Sequence, residues 1–354
     1  MGNSFLHIRL ANRRRIKNKR RAIPSDEGLF RRNVYFIALQ YLPPNSKSHF
    51  LSLDRIDING VNKMVDTVLH LFLYEEEWKL AEEILNRFEN YDVNITNSVG
   101  DTPLLLAARL NCEFGLFKKI VNRTNSGNFN KTDGNGCTTL HYAMYNKSEN
   151  KIEELLNHKD VDVNVKNNED NRTALHLASN WQYIPIDLFR NILQRSADIN
   201  AKDKYGNTAL HLAIMFRLES DEFKVNQLLS DVRVNVDIKN NEMDTALCLA
   251  SKLLTTFPLD SFKMIVKKSA DVNAQDKDGN TPLHIAFLRK SEFGVKELLK
   301  HKKVSVDVEN SLNQTVYRFS SHYWPDIPDY LCGVISRRSV KDNSVAVILI
   351  IIFF

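Results

Sequence analysis

The chain has 354 residues, 43 % of them hydrophobic, and carries 48 Lys and Arg against 43 Asp and Glu, a formal net charge of +5. That composition supplies ample apolar surface for a packed core and excludes a disordered chain as the default. Ten of the basic residues and two of the acidic ones fall within residues 1–32, which leaves 38 against 41 in the remainder, so the folded part gives duplex DNA no bulk charge to select.

In chain order, residues 1–24 read as a basic, disordered tail. Arg13, Arg14, Arg15, Lys17, Lys19, Arg20 and Arg21 form a dense cluster of the kind used for nuclear import or for weak contact with nucleic acid or anionic lipid; a solvated tail with no role is the alternative. Met1-Gly2 fails as a myristoylation signal because Leu6 stands where Ser or Thr is required. Nothing at this end resembles a secretory signal, and Cys112, Cys137, Cys248 and Cys332 lie far apart. These features predict reduced thiols and an intracellular protein, cytoplasmic or nuclear. Residues 25–59, with the apolar run Val34–Leu39 followed by Pro43-Pro44, read as a degenerate helical N-terminal cap.

From residue 60 to 343 the sequence repeats. Thr281-Pro282-Leu283-His284-Ile285-Ala286 is the clearest copy of a block echoed at Thr138, Thr173 and Thr208, and in weaker form at Thr67, Thr102, Thr245 and Thr315. The steps between these threonines are 34 to 37 residues. Asn or Asp stands eight positions before seven of them (Asn59, Asn94, Asn130, Asn200, Asp237, Asn273, Asp307), while Asn164 slips to nine. An apolar triplet at i, i+3, i+4 follows each threonine, from Ala81/Ile84/Leu85 to Leu331/Val334/Ile335, which predicts a second helix with one buried stripe. The threonine hydroxyl suits a helix N-cap, and proline at the next position loses nothing there. About eight helix-turn-helix units are therefore expected.

The Thr-Pro-Leu-His block, with Ser269-Ala270-Asp271-Val272-Asn273 and Asp276-Lys277-Asp278-Gly279-Asn280 ahead of it, resembles the ankyrin repeat over roughly residues 57–343. The resemblance implies an all-α solenoid of stacked helix-turn-helix units with projecting β-hairpin-like loops, each unit burying its face only against the next. His70, His141, His176, His211 and His284 then serve structure, hydrogen-bonding between units. At a spacing of one unit, roughly 10 Å by helix packing, they cannot share a metal ion. The family's second helix ends on Gly-Ala-Asp; Ser196-Ala197-Asp198 and Ser269-Ala270-Asp271 lack that glycine, which predicts strained or remodelled ends. Extra length falls between the two helices, at 181–185, 216–220 and 255–258.

The resemblance further implies a non-catalytic scaffold or adaptor that binds one or more proteins along a concave surface of loop tips and first helices. The candidate contacts are Ser98, Val99, Asn135, Asn168, Glu169, Lys204, Tyr205, Asn241, Met243, Lys277 and Asp278, with Tyr205 and Met243 favoured by their chemistry. Beyond the weak Gly134-Asn135-Gly136 there is no phosphate loop, no metal-protease helix and no nucleophile elbow, so no catalytic, cofactor or metal residues are assigned. A ubiquitin-ligase substrate adaptor, a nuclear inhibitor-type regulator of transcription factors and a truncated membrane-associated protein are the alternative roles. Tyr330–Arg338 loosely resembles a ligase-recruiting box, but the same residues complete the last unit.

The apolar tail, residues 344–354, contains ten consecutive uncharged apolar residues, Val345 to Phe354, too few to cross a bilayer. A truncated or alternative ending, the start of a membrane segment, and a buried or aggregation-prone strand all fit it. Membrane contact is expected only through that tail, and the protein is expected to be a monomer.

Overall fold

The structure is a computed structural model that describes residues 59–216, 222–324 and 326–339, the side chains of 320–322 excepted. The basic cluster, residues 25–58 of the N-terminal cap, Asn343 and the apolar tail lie outside the described residues. Two compact parts are distinguished, one ending at Asp92 and the other beginning at Val93.

In the first part, α1 (Val68–Tyr74) and α2 (Trp78–Arg87) form one helix pair. Tyr91 ties off its base: the phenol donates to Thr67 Oγ1 at 2.6 Å and accepts from the Leu69 amide at 3.1 Å. Burial raises the Tyr91 phenol well above its ordinary range.

In the second part seven further pairs follow in order. They are α3 (Pro103–Arg109) with α4 (Phe114–Val121), α5 (Thr139–Tyr145) with α6 (Glu149–Leu156), and α7 (Ala174–Asn180) with α8 (Ile186–Arg195). After them come α9 (Ala209–Met215) with α10 (Phe223–Ser230), α11 (Ala246–Lys252) with α12 (Leu259–Lys268), α13 (Pro282–Leu288) with α14 (Glu292–Lys300), and α15 (Val316–Tyr323) with α16 (Asp329–Arg338). First helices pack on first helices, α3 on α5 through to α13 on α15, and second helices do the same from α4 to α14. The described residues are all helical apart from turns and loops, with no strand.

The threonines cap first helices as their spacing predicts. Thr102, Thr208 and Thr281 accept from the backbone amide three residues on, and Pro103 and Pro282 occupy the first helical turn, where a missing N–H costs nothing. The apolar triplets are buried between helix layers; Phe117, Ile152, Phe189, Val225, Phe262 and Val295 are all at most 1 % exposed. Val334 departs from the pattern and is only half-buried.

Where the missing glycine predicts strain, the structure shows none. Ser196 and Ser269 sit at φ −71° and −66°, in ordinary extended backbone, and each hydroxyl donates to the carbonyl four residues back, Ile192 at 2.8 Å and Ile265 at 2.9 Å. A serine back-bond ends the helix where the family uses a left-handed glycine. The strain lies instead at the turn after the first helix, where Glu76, Asn111, Lys147 and Lys290 hold φ between 52° and 59°. There the chain closes a tight double turn, as in Ser148 N–H to Ala143 O at 3.0 Å and Lys147 N–H to Met144 O at 3.0 Å. A β-carbon in that region is unfavourable by roughly 1 kcal/mol. Lys147→Gly is therefore expected to raise stability by about 0.5–1 kcal/mol in urea unfolding followed by circular dichroism, the gain being trimmed by the extra freedom of glycine in the unfolded chain. A lower midpoint would show that the turn is not strained.

Candidate functional site: the finger ladder

Between consecutive helix pairs the chain makes a projecting finger, and one residue type organises it. Asn97, Asp133, Asp203, Asn240, Asp276 and Asn310 are nearly buried at the finger base, and each Oδ1 accepts from the amides two and four residues on. A short acceptor folding back on its own backbone is the Asx turn, which fixes the tip. One backbone pair closes each finger, for example Asp276 N–H to Asn280 O at 3.0 Å. The Asn164 slip in the sequence now has a cause. In its finger the closing bond runs from Asn167 N–H to Arg172 O, one residue farther than elsewhere, so Asn168–Asn171 form an enlarged tip.

The periodic Asn or Asp ahead of each threonine holds the next finger. Asn200 accepts from Asn235 N–H at 2.9 Å and donates to Arg233 O at 2.8 Å; Asn130 and Asn273 make equivalent bonds one unit on, and Asp237 accepts from the Ala270 and Asp271 amides. The tips themselves are joined by single backbone bonds: Asn168 N–H to Asn135 O and Lys204 N–H to Asp170 O at 2.8 Å, then Asn241 N–H to Tyr205 O at 3.0 Å. The next two steps are Lys277 N–H to Glu242 O at 3.3 Å and Ser311 N–H to Asp278 O at 3.0 Å.

Histidine completes the stacking. In His141, His176, His211 and His284, Nδ1 accepts from the backbone N–H of the capping threonine at 3.2–3.3 Å, so the ring proton sits on Nε2. Nε2 donates across to the next finger, at Arg172 O, Ala201 O, Asp244 O and Gln314 O respectively. Burial lowers all four imidazoles, His211 and His284 to about 4. The structural role assigned to the inter-unit histidines is thus seen directly in these four. Ion pairs fasten the same layer: from first helices, Arg109 reaches Asp101 at 2.5 Å and Asp133 at 3.5 Å and Lys252 reaches Asp244 at 2.6 Å and Asp276 at 3.3 Å, while Arg172, in its own finger, reaches Asp203 of the next at 3.3 Å. Burial first, and then the Asp133 carboxylate that its hydroxyl contacts at 2.5 Å, raise the Tyr142 phenol.

The tip residues named from the sequence are exposed. Val99, Tyr205 and Met243 show 40 %, 52 % and 46 % of their surface, and Ser98, Asn135, Asn168, Glu169, Lys204, Asn241, Lys277 and Asp278 are exposed beside them. The Lys277 ammonium pairs with Glu242 of the neighbouring finger. Tyr205 and Met243 stand on adjacent fingers, and Val99 stands three fingers before Tyr205. Leu312, 68 % exposed on the last described finger, was missed, although it lies two residues after Asn310 just as Tyr205 lies two after Asp203. Met215 and Leu288 add exposed apolar surface at the ends of first helices.

Met243 has a second property. Four fingers place glycine three residues after the Asx residue, at Gly100, Gly136, Gly206 and Gly279, all with φ from 69° to 89°. A β-carbon on Gly206 would stand 2.8 Å from Asn241 N, and one on Gly279 2.6 Å from Ser311 N. Met243 occupies this glycine position at φ 61°. The ladder step at its finger, 3.3 Å, is the longest of the five tip-to-tip bonds above.

Comparison with known proteins fits this construction. The family model for ankyrin repeats in three copies matches residues 110–203 and 185–276, and that for a single ankyrin repeat matches 278–311, together more than half of the chain. The chain belongs to the ankyrin-repeat family. It is 31 % identical to an ankyrin repeat protein of Acanthamoeba polyphaga mimivirus, over 45 % of this chain and 20 % of that one. It is 28 % identical to a palmitoyltransferase of Lachancea kluyveri, over 60 % and 28 %. To the nuclear factor NF-kappa-B p105 subunit of Gallus gallus it is 30 % identical, over 44 % and 16 %. The chain spans less than a third of the length of these relatives.

An ankyrin-repeat array supports a protein-interaction role. Among the described residues no helix is long and apolar enough to cross a membrane, and no group of three His, Cys, Asp or Glu is placed to hold a metal. An open cleft of about 340 Å³, lined by residues 111, 112, 114 and 147–151, is walled by Lys151. Its ammonium donates to Asn111 Oδ1 and Cys112 O in the turn after α3, and burial lowers its pKa. The Cys112 thiol in the same wall is pushed up to about 11 by burial, which leaves it a poor nucleophile.

Proposed function

We propose that this ankyrin-repeat protein is a non-catalytic scaffold or adaptor, acting as a monomer inside the cell, whose partner protein lies along the finger tips and the exposed ends of the first helices. The observation that carries the reading is Met243. An exposed apolar side chain held at positive φ, where four sister fingers use glycine, is unfavourable both for the backbone and for solvation. Neither cost serves the fold, and a contact surface accounts for both. Tyr205 beside it supplies an aromatic anchor of the sort that dominates binding energy.

Met243→Gly is expected to raise stability by about 1 kcal/mol in denaturant unfolding while weakening partner capture. The test is affinity purification with mass spectrometry on the full chain beside a Tyr205→Ala, Met243→Gly double variant, with circular dichroism to show that the helices persist. Partners retained by the native chain and depleted at least tenfold in the variant are expected. An identical partner set from both, or no specific partner from either, overturns the assignment of the finger tips.

A further inference from the structure

Six charged residues stand at the four finger tips between Asn168 and Gly279: Glu169, Asp170, Lys204, Glu242, Lys277 and Asp278. Four of them are engaged within the array. Asp170 pairs with Arg172 at 3.1 Å, and Lys277 pairs with Glu242. The Lys204 ammonium donates to Glu169 O at 3.3 Å and lies over the Tyr205 ring, 5.7 Å from its centroid. Two carboxylates remain. Glu169 and Asp278 are exposed, and among the described residues neither side chain forms an ion pair or accepts a hydrogen bond.

These two carboxylates bracket the apolar pair. Glu169 stands on the finger before Tyr205, and Asp278 on the finger after Met243. The four fingers are consecutive and joined by backbone bonds, from Lys204 N–H to Asp170 O, Asn241 N–H to Tyr205 O and Lys277 N–H to Glu242 O. At roughly 10 Å per repeat the carboxylates lie about 30 Å apart, the reach of about nine extended residues. Lys166 is exposed as well, but it precedes Asn167 and is not at the tip.

We propose that the finger tips take an extended, basic-apolar-basic segment of a partner protein. Its Lys or Arg side chains pair with Glu169 and Asp278, and apolar side chains between them rest on Tyr205 and Met243. The inference rests on the finger-tip reading above and adds a charge pattern to it. An acidic segment would set like charges against each other at both ends, where Lys204 and Lys277 are already engaged.

The test selects random dodecapeptides displayed on phage against the full chain, and the enriched sequences are labelled with fluorescein for anisotropy titration. Peptides with Lys or Arg near both ends and apolar residues between are expected. Their affinity should fall at least fivefold in a Glu169→Lys, Asp278→Lys variant and in Tyr205→Ala. It should change less than twofold in Asp187→Lys, Asp260→Lys, an equal charge change on α8 and α12 where the side chains are 99 % and 85 % exposed. Circular dichroism should match the native chain in all three variants. Enriched peptides that are acidic or uncharged, an unchanged affinity in the Glu169, Asp278 variant, or an equal loss in the Asp187, Asp260 variant overturns the proposal. Where binding then still depends on Tyr205, the finger-tip reading stands without the charge pattern. Peptides indifferent to Tyr205 as well, or no enrichment at all, overturn both.

Discussion

Acidification from pH 7 to about 4.5 is expected to unfold the array, with loss of stability setting in near the imidazole's unfolded pKa of about 6.5. His211 and His284 are held at about 4 by burial, and His141 and His176 are lowered in the same direction. A base whose folded pKa is depressed is favoured neutral in the native state. The unfolded chain therefore takes up protons first, and the stability present above pH 6.5 is lost as the pH falls toward 4. For the two valued histidines this amounts to about 3 kcal/mol each, of the same order as the total stability of a typical domain. The chemistry is local: a second ring proton on Nδ1 would face the threonine N–H that it now accepts. Burial raises the Asp244 carboxyl, so histidine variants, and not the pH slope alone, isolate the imidazoles. Cys248 already stands at the histidine position of one repeat, fully buried. A His211→Cys, His284→Cys variant should thus be weaker at pH 7 and less sensitive to acid. A native urea midpoint that stays constant from pH 7 to 5 would refute the account.

The second large effect is expected from Phe189→Ala, at about 4 kcal/mol. Phe189 is 0 % exposed and meets Phe223 of the next outer helix edge-to-face, with ring centroids 5.7 Å apart. Its removal opens a cavity at the junction of two repeats, where neither neighbour can close in without disturbing α6 or α10. Because an array is stabilised by nearest-neighbour contacts, weakening one junction should also split a single unfolding transition into two. Urea unfolding followed by circular dichroism reads both. Tyr183→Ala, at a residue 74 % exposed on a connecting loop, should shift the midpoint negligibly. A Phe189→Ala cost below about 1 kcal/mol would mean that the junction relaxes freely.

Much of this was legible before any coordinates, for a physical reason. Thr281, Pro282 and His284 act within one helical turn, so their spacing in the sequence carries their geometry. The Asn164 slip likewise signalled an extra residue, but only the closing bond to Arg172 places it at the finger tip. What the sequence did not disclose were backbone conformations. Ser196 looked like a flawed glycine cap until its hydroxyl was seen donating to Ile192. Met243 looked like one exposed residue among several until a φ of 61° was seen to accompany its exposure, as it does at Val65 in the first part. Leu312 was available by register, two residues after Asn310, in a finger where Asn313 takes the glycine position.

The enlarged tip at Asn168–Asn171 has a consequence for selectivity. A surface made of near-identical teeth is degenerate under translation, and a ligand could dock one tooth along with nearly the same energy. One odd tooth removes that degeneracy. Its extra residue adds about 3 Å of backbone and brings Glu169 and Asp170 to the rim. A partner lying across the fingers, as proposed above, would meet that irregular tooth in one alignment and not in its neighbours.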